Sequence, residues 1–378
     1  MPATRPRPRV GSIVLAACGV VLLGIPVWAL ATAFDAIVTG HPVYPVMLTI
    51  SAVAGGLLLL RTLRRSNSRN AGAAGQGASR PVSDSAASHG TGHSAASRLP
   101  DEDAVSLFGD RSAAAPGDSG SSTHEPSTAG AASRRRKALR ASGWVAAVLT
   151  TAVVAVVLVF GRPHSATDIA LAAMSGTDTV SVTHDTTSIT LTPRKNTGVG
   201  VVFQPGARVD ARAYVPILTR LAERGHTVVI AEQPLGVSLL AQGAAVWAMD
   251  AHPEVSRWVA AGHSLGGVAA ARTAASSDPR VVGLLFWASY ADVRTPTDVV
   301  PVLSVYGTND GLIAPAEAVP APEQRPANTR YVAAEGATHT SFSDYGTQSD
   351  DGVESVPHDV AQQRITEPTL AFLDELSR

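Results

Sequence analysis

The sequence holds one cysteine, Cys18, in 378 residues, so neither an intramolecular disulfide nor a cysteine-cluster zinc site can form. Charge is scarce. Charged residues make up 16% of the chain and aromatics 5%, where soluble domains carry about 25% charged residues. Hydrophobic residues reach 45% and the mean hydropathy is +0.13, which places part of the chain in a membrane. At ~100–200 residues per domain, the length allows two domains, or one domain and a long non-globular part. The net charge of −1 hides a split: the chain is +7 up to residue 160 and −8 beyond it. That asymmetry excludes one uniform globule and argues against nucleic acid as a partner of the C-terminal half.

Long uncharged runs account for the hydropathy. Residues 11–33, 43–60 and 144–160 contain no charged side chain. At 1.5 Å per residue the first covers a ~30 Å hydrocarbon core, and the other two lie at the short end of the spanning range. The rival readings are buried core helices or, for the first run, a signal peptide, but no clear cleavage site follows it. Arginines set the expected orientation. Arg5, Arg7 and Arg9 precede the first run; Arg61, Arg64, Arg65 and Arg69 follow the second; Arg134, Arg135, Arg136, Lys137 and Arg140 precede the third. The loop 34–42 has no Lys or Arg. All three clusters face the cytoplasm only if the N-terminus is inside and the third helix exits. The expected layout is a membrane region over 1–65, a basic cluster and third helix over 134–163, and an extracytoplasmic domain over 165–378.

Between them, residues 66–133 are mostly Ala, Ser and Gly with Phe108 the only aromatic. Such a segment cannot bury enough apolar surface to offset its ordering entropy, so it reads as a disordered cytoplasmic linker. Its denser patch 99–110 could dock a partner, though a sticky piece of linker is the plainer reading.

Beyond residue 180 the pattern alternates. SVTHDTTSITLT reads as antiparallel strands at a sheet edge, and GVGVVFQPG as a buried strand. Tyr214, Ile217, Leu218 and Leu221 fall at helical spacing, with Gly225 as a stop. Then follow strand HTVVIAEQP, helix VSLLAQGAAVWAM, strand RWVAAGHSLGG, helix VAAARTAASS, strands VVGLLFWAS, PVLSVYGTND and TRYVAAEGATH, and helix QQRITEPTLAFLDELS. Apolar strands alternating with amphipathic helices predict a doubly wound, mostly parallel α/β sheet.

GHSLGG (262–267) falls between a strand and a helix and fits G-x-S-x-G, in which a serine sits on a strained turn with its oxygen exposed. The competing reading is a tight turn whose serine only caps the helix. A serine nucleophile needs a base, and the base needs an acid that holds its tautomer, in the chain order Ser, acid, His. Asp310 and His339 each follow a strand and so reach the edge where Ser264 stands. Asp292 is the alternative acid. His263 beside the nucleophile, His226 opening a strand at the far edge and His358 in an acidic loop read as surface or packing residues. The oxyanion needs two backbone donors. Leu265 after the nucleophile supplies one, and Ala207 in FQPGARVD the other, Gly206 permitting close approach. Asp350, Asp351, Glu354 and Asp359 match no calcium-loop spacing and read as a solvated acidic loop; neither a metal nor a cofactor is expected.

With FQPGARVDARAY, GHSLGG, GTNDGL and GATHTSF in this order, the chain over about 196–376 resembles the α/β-hydrolase fold family, in particular a bacterial dienelactone-hydrolase-like group. It departs from that group's pattern in reading PGA for PGG and GATH for GGNH. The resemblance implies cleavage of an ester or related acyl bond in a small-molecule or lipid-like substrate, through an acyl-serine on Ser264 with Asp310 and His339. An acyltransferase with the same three residues is the alternative, and a non-catalytic binding module on a hydrolase scaffold the third reading. The short stretch between Ala288 and Val302 leaves little room for a lid domain.

Overall fold

The computed structural model describes residues 10–76, 128–293, 300–319 and 328–378. The chain divides into two compact units, one of residues 1–60 and 147–378, the other of residues 61–146. The described part of the second unit is helical throughout, because α2 (Val43–Gln76) runs into it and α3 (Thr128–Phe160) starts in it. Both ends of the expected linker, residues 66–76 and 128–133, are therefore helix, in keeping with their alanines. The rest of that linker, patch 99–110 included, lies outside the described residues.

In the first unit, α1 (Val10–Thr39) packs on α2. Gly19 and Gly55 allow the approach: a Cβ on Gly55 would stand 2.8 Å from the Gly19 carbonyl oxygen. The Ser51 hydroxyl donates to Leu22 O at 2.8 Å, and the Tyr44 hydroxyl to Leu158 O of α3 at 2.6 Å. Elsewhere these helices present exposed Val, Leu and Ile side chains, as on Val20, Val27, Leu57 and Val156, a surface that lipid would cover. Among the described residues, three helices are long and apolar enough to cross a membrane: Val10–Thr39, Val43–Arg65 and Ala141–Phe160.

After the short helix α4 (Asp168–Ala173) come, among the described residues, eight strands: β1 (Val180–His184), β2 (Ser188–Pro193), β3 (Val199–Gln204), β4 (Val228–Ala231), β5 (Arg257–His263), β6 (Val281–Trp287), β7 (Val302–Gly307) and β8 (Thr329–Ala334). They form one sheet in the order β1-β2-β4-β3-β5-β6-β7-β8. β2 runs antiparallel to both neighbours and every other pairing is parallel. This is the doubly wound sheet the apolar runs predict. Alternate residues of each strand enter opposite cores. Val201, Phe203, Val259 and Ala261 face α5 (Val215–Glu223) and α9 (His358–Leu376). Val202, Trp258 and Ala260 face α6 (Ala244–Asp250) and α7 (Leu265–Ala275). A one-turn helix, α8 (Pro315–Ala318), follows β7.

One expectation changes. The helix expected over VSLLAQGAAVWAM is broken into a 3-10 turn at Ser238–Leu240 and the short α6. The buried Ser238 hydroxyl donates to Leu265 O at 3.1 Å, a bond that holds this stretch down on the site. His226 opens β4 at the end of the sheet away from Ser264, as expected, beside the first residue of β3. Its ring is fully buried with Nδ1 3.0 Å from Val199 O.

Candidate active site

Ser264 joins β5 to α7 with φ 51° and ψ −125°, a conformation that costs a non-glycine residue strain. Its surroundings leave it no alternative. Ser264 N–H donates to Trp287 O at 3.0 Å, and Ser264 O accepts from Gly267 N–H at 3.0 Å and the Ser289 hydroxyl at 2.6 Å. A Cβ on Gly262 would run into the backbone of Gly266, and one on Gly266 into the carbonyl oxygen of Gln204. Both glycines are therefore steric requirements of the turn.

Asp310 and His339 meet at the ends of β7 and β8. His339 Nδ1 lies 2.9 Å from Asp310 Oδ2, and both side chains are buried. Asp310 Oδ1 accepts from the N–H groups of Leu312 and Ile313 at 2.9 and 2.8 Å, which aims the other oxygen at the imidazole. The His339 ring packs on His263, the residue before Ser264, with centroids 4.5 Å apart. The alternative acid is elsewhere: Asp292 is ion-paired with Arg272 on the surface.

Two residues that the sequence reading passed over hold this arrangement. Asp351 accepts four backbone N–H groups, from Gly311 at 3.1 Å, His339 at 3.1 Å, Thr340 at 2.8 Å and Gly352 at 2.7 Å. It ties the loop carrying Asp310 to the loop carrying His339. Burial pushes its carboxyl up, and the four donors outweigh that and hold it below the ordinary value. Asp350 and Asp359 are exposed, as a solvated loop requires, but Asp351 and Glu354 are not free in solvent. Glu354 accepts from the Ser341 hydroxyl and lies 2.9 Å from His358 Nδ1, while His358 Nε2 is 3.2 Å from Asp344. Asp344 first, and Glu354 with it, outweigh burial and raise His358 to about 9.

The second such residue is Tyr214. Its hydroxyl accepts from Gly206 N–H at 2.9 Å and lies 2.8 Å from His263 Nδ1. Burial, with the nearby His339 second, keeps His263 far below its ordinary value and hence neutral. His263 is thus a packing residue, stacked on Phe342 at 5.5 Å. In the turn after β3, Gly206 N–H goes to Tyr214, Arg208 N–H to Gly236 O at 2.7 Å and Val209 N–H to Gly206 O at 3.2 Å. Among the described residues, Ala207 N–H has no protein acceptor. Leu265 N–H opens α7, in a first turn that lacks intrahelical acceptors. These are the two donors expected for an oxyanion.

Residues 200–363 match the alpha/beta hydrolase family, and this part of the chain has that family's fold. No curated protein matches the chain. Solved structures that resemble it include Est1E from Butyrivibrio proteoclasticus, at 16% identity and TM-score 0.38, covering 52% of this chain and 98% of that one. An alpha-beta serine hydrolase homologue from Coxiella burnetii is 17% identical with TM-score 0.34, over 43% of this chain and 89% of that one.

Proposed function

We propose that the chain is a membrane-anchored serine hydrolase that cleaves an ester or related acyl bond through an acyl-serine intermediate. The observation that carries this reading is the buried His339–Asp310 pair, 2.9 Å apart, packed against the residue before the strained Ser264. In this reading Ser264 Oγ attacks the substrate carbonyl while His339 Nε2 takes its proton. Asp310 holds the opposite nitrogen as donor and balances the imidazolium charge. The N–H groups of Leu265 and Ala207 receive the oxyanion. Collapse breaks the acyl C–O bond, His339 returns the proton to the leaving alcohol, and water releases the acyl group by the same steps. The three apolar helices support the membrane anchor, and the arginine clusters support a catalytic domain outside the cytoplasm.

A fluorophosphonate probe is expected to label the wild-type chain and not Ser264→Ala; equal labelling of both overturns the nucleophile. Turnover is expected to fall about 10⁶-fold in Ser264→Ala and about 10⁴-fold in Asp310→Asn, by analogy with serine hydrolases of this mechanism. Greater damage from Asp292→Asn would reassign the acid. For the orientation, a Cys18→Ser chain carrying Asp350→Cys should react with an impermeant thiol reagent on intact cells, and one carrying Ser97→Cys should not. The reverse pattern refutes it.

A further inference from the structure

The strip of chain between β4 and α6 touches the apolar helices on one side and the candidate site on the other. Its 3-10 turn, Pro234–Gly236, holds Leu235 at φ 57° and ψ 18°, a left-handed conformation that is unfavourable for leucine. The strained residue has a seat. Its side chain packs on the cluster formed by Ala29, Ala33 and Ile37 of α1, Tyr44 and Leu48 of α2 and Leu158 of α3. One residue on, Gly236 O accepts from Arg208 N–H at 2.7 Å. Two residues further, the buried Ser238 hydroxyl donates to Leu265 O at 3.1 Å. Those two attachments fall on the oxyanion donors: Arg208 directly follows Ala207, and Leu265 is itself the other donor residue.

Arg208 is gripped from a second direction, by the chain just past the end of α3. Its carbonyl oxygen accepts from His164 N–H at 2.6 Å, and His164 O accepts from Asp210 N–H at 3.0 Å, so the extension of α3 forms a parallel bridge with the turn after β3. The Arg208 guanidinium lies over Phe160 at 4.8 Å, and its Nε donates to Arg162 O at 3.3 Å. Arg162 in turn lies over Trp28 of α1 at 5.4 Å and donates from Nε and Nη2 to the hydroxyl and carbonyl of Thr32, at 2.8 and 2.9 Å. Neither arginine has a carboxylate partner among the described ion pairs, so ring and carbonyl contacts hold both in place.

The turn that carries Ala207 has one closing bond of its own past Gly206, from Val209 N–H to Gly206 O at 3.2 Å. Arg208, itself at φ 63°, gives both its N–H and its carbonyl to segments outside the turn. Those segments, the strip 235–238 and the extension of α3, both rest on the apolar helices. An oxyanion donor acts by being fixed in advance where charge will develop, and loss of one costs about 10²–10³-fold in kcat. Whatever fixes Ala207 and Leu265 therefore bears on turnover.

We propose that Leu235 and Arg208 are positioning residues: seated on the membrane helices, they hold the Ala207 and Leu265 N–H groups in register with Ser264, so the anchor is part of the catalytic apparatus as well as a tether. The proposal rests on the serine-hydrolase reading and goes beyond it. Neither side chain touches substrate; both act through the two backbone donors.

The test uses the full-length chain in dodecyl maltoside and an alkyl fluorophosphonate. Ser264 Oγ bonds to phosphorus, fluoride leaves, His339 takes the serine proton, and the phosphoryl oxygen occupies the place of the oxyanion. The fraction of chains labelled at completion counts folded sites, and the second-order rate reads the donors. Leu235→Asn accepts the left-handed backbone but lacks the apolar side chain. Its labelling rate is expected to fall at least about tenfold with the labelled fraction unchanged, and Leu235→Met to restore most of it. Arg208→Ala is expected to fall by a similar factor, and Arg208→Lys, which keeps a cation over Phe160, by less. With 4-nitrophenyl butyrate, kcat is expected to fall in parallel while KM stays within about twofold. A merely structural role would lower the labelled fraction and leave the rate per labelled site as in wild type; that result in both Leu235→Asn and Arg208→Ala overturns the proposal. So does a rate that falls as far in Leu235→Met as in Leu235→Asn. If one of the two main variants does not fold, the other decides by the same criterion. A wild-type chain not labelled at Ser264 overturns the nucleophile and this proposal with it, whereas normal labelling of wild type and variants alike overturns the positioning role alone.

Discussion

The elbow after β5 and the paired loops after β7 and β8 hold their residues by different physics. At the elbow the constraint is steric. Gly262, Ser264 and Gly266 occupy a turn in which a Cβ at either glycine would overlap backbone, and the strained serine is pinned through its N–H and carbonyl. At the loops a polar constraint is added to a steric one. Asp310, His339 and Asp351 are joined by hydrogen bonds between side chains and backbone N–H groups, and a Cβ on Gly352 would overlap the Asn309 carbonyl oxygen. A steric constraint is local and fails all at once when a methyl group is added. A polar one spans distant segments and fails by degrees.

That contrast can be broken first at the elbow. Gly266→Ala is expected to destabilise the fold by about 3 kcal/mol, a fall of about 10 °C in Tm for a domain of this size. Calorimetry checks it, and an unchanged Tm would mean the turn has room the geometry denies. On the polar side, Asp351→Asn sets an amide N–H₂ against backbone donors and lets the histidine loop drift. A misplacement of about 1 Å costs about 10²-fold, so kcat should drop by that order with KM held within about twofold. The exposed Asp359→Asn serves as control and should match wild type. A fall in Tm with unchanged kcat would make Asp351 purely structural. The smallest effect is expected at His358. Its folded value of about 9 lies above the ordinary 6.5, so the stability it contributes is whole below about pH 6.5 and is lost as pH rises through 9. Tm of the wild type should fall between those limits, and His358→Gln should flatten the slope. A parallel slope in the variant would assign the pH dependence to another group.

How far the sequence reading reached follows the same division. The elbow was legible because its parts are contiguous: strand, GHSLGG, then a small-residue helix face. Asp310 and His339 were legible because each follows an apolar strand that delivers it to the same sheet edge. Asp351 was not, since its four N–H partners come from 310s and 330s loops as well as its own, and in sequence it is one carboxylate of a run. Tyr214 was read only as a helix-face residue. Its bond to His263 spans 49 positions and requires that β3 and β5 be neighbours. The break before α6 escaped for a related reason: the hydroxyl of Ser238 prefers Leu265 O, 27 residues away, to a place in a helix.

Composition, hydropathy and contiguous motifs were sufficient for the three apolar helices, the doubly wound sheet and the positions of Ser264, Asp310 and His339. Each of these follows from a periodicity or a turn requirement acting over a few residues. The clamp of Asp351 on two loops, the neutral His263 beneath Tyr214 and the pairing of Arg162 with Arg208 came only with the tertiary structure. Hydrogen bonds and unpaired charges of this kind depend on which segments the sheet order sets side by side, and strand order is a property of the whole packed chain.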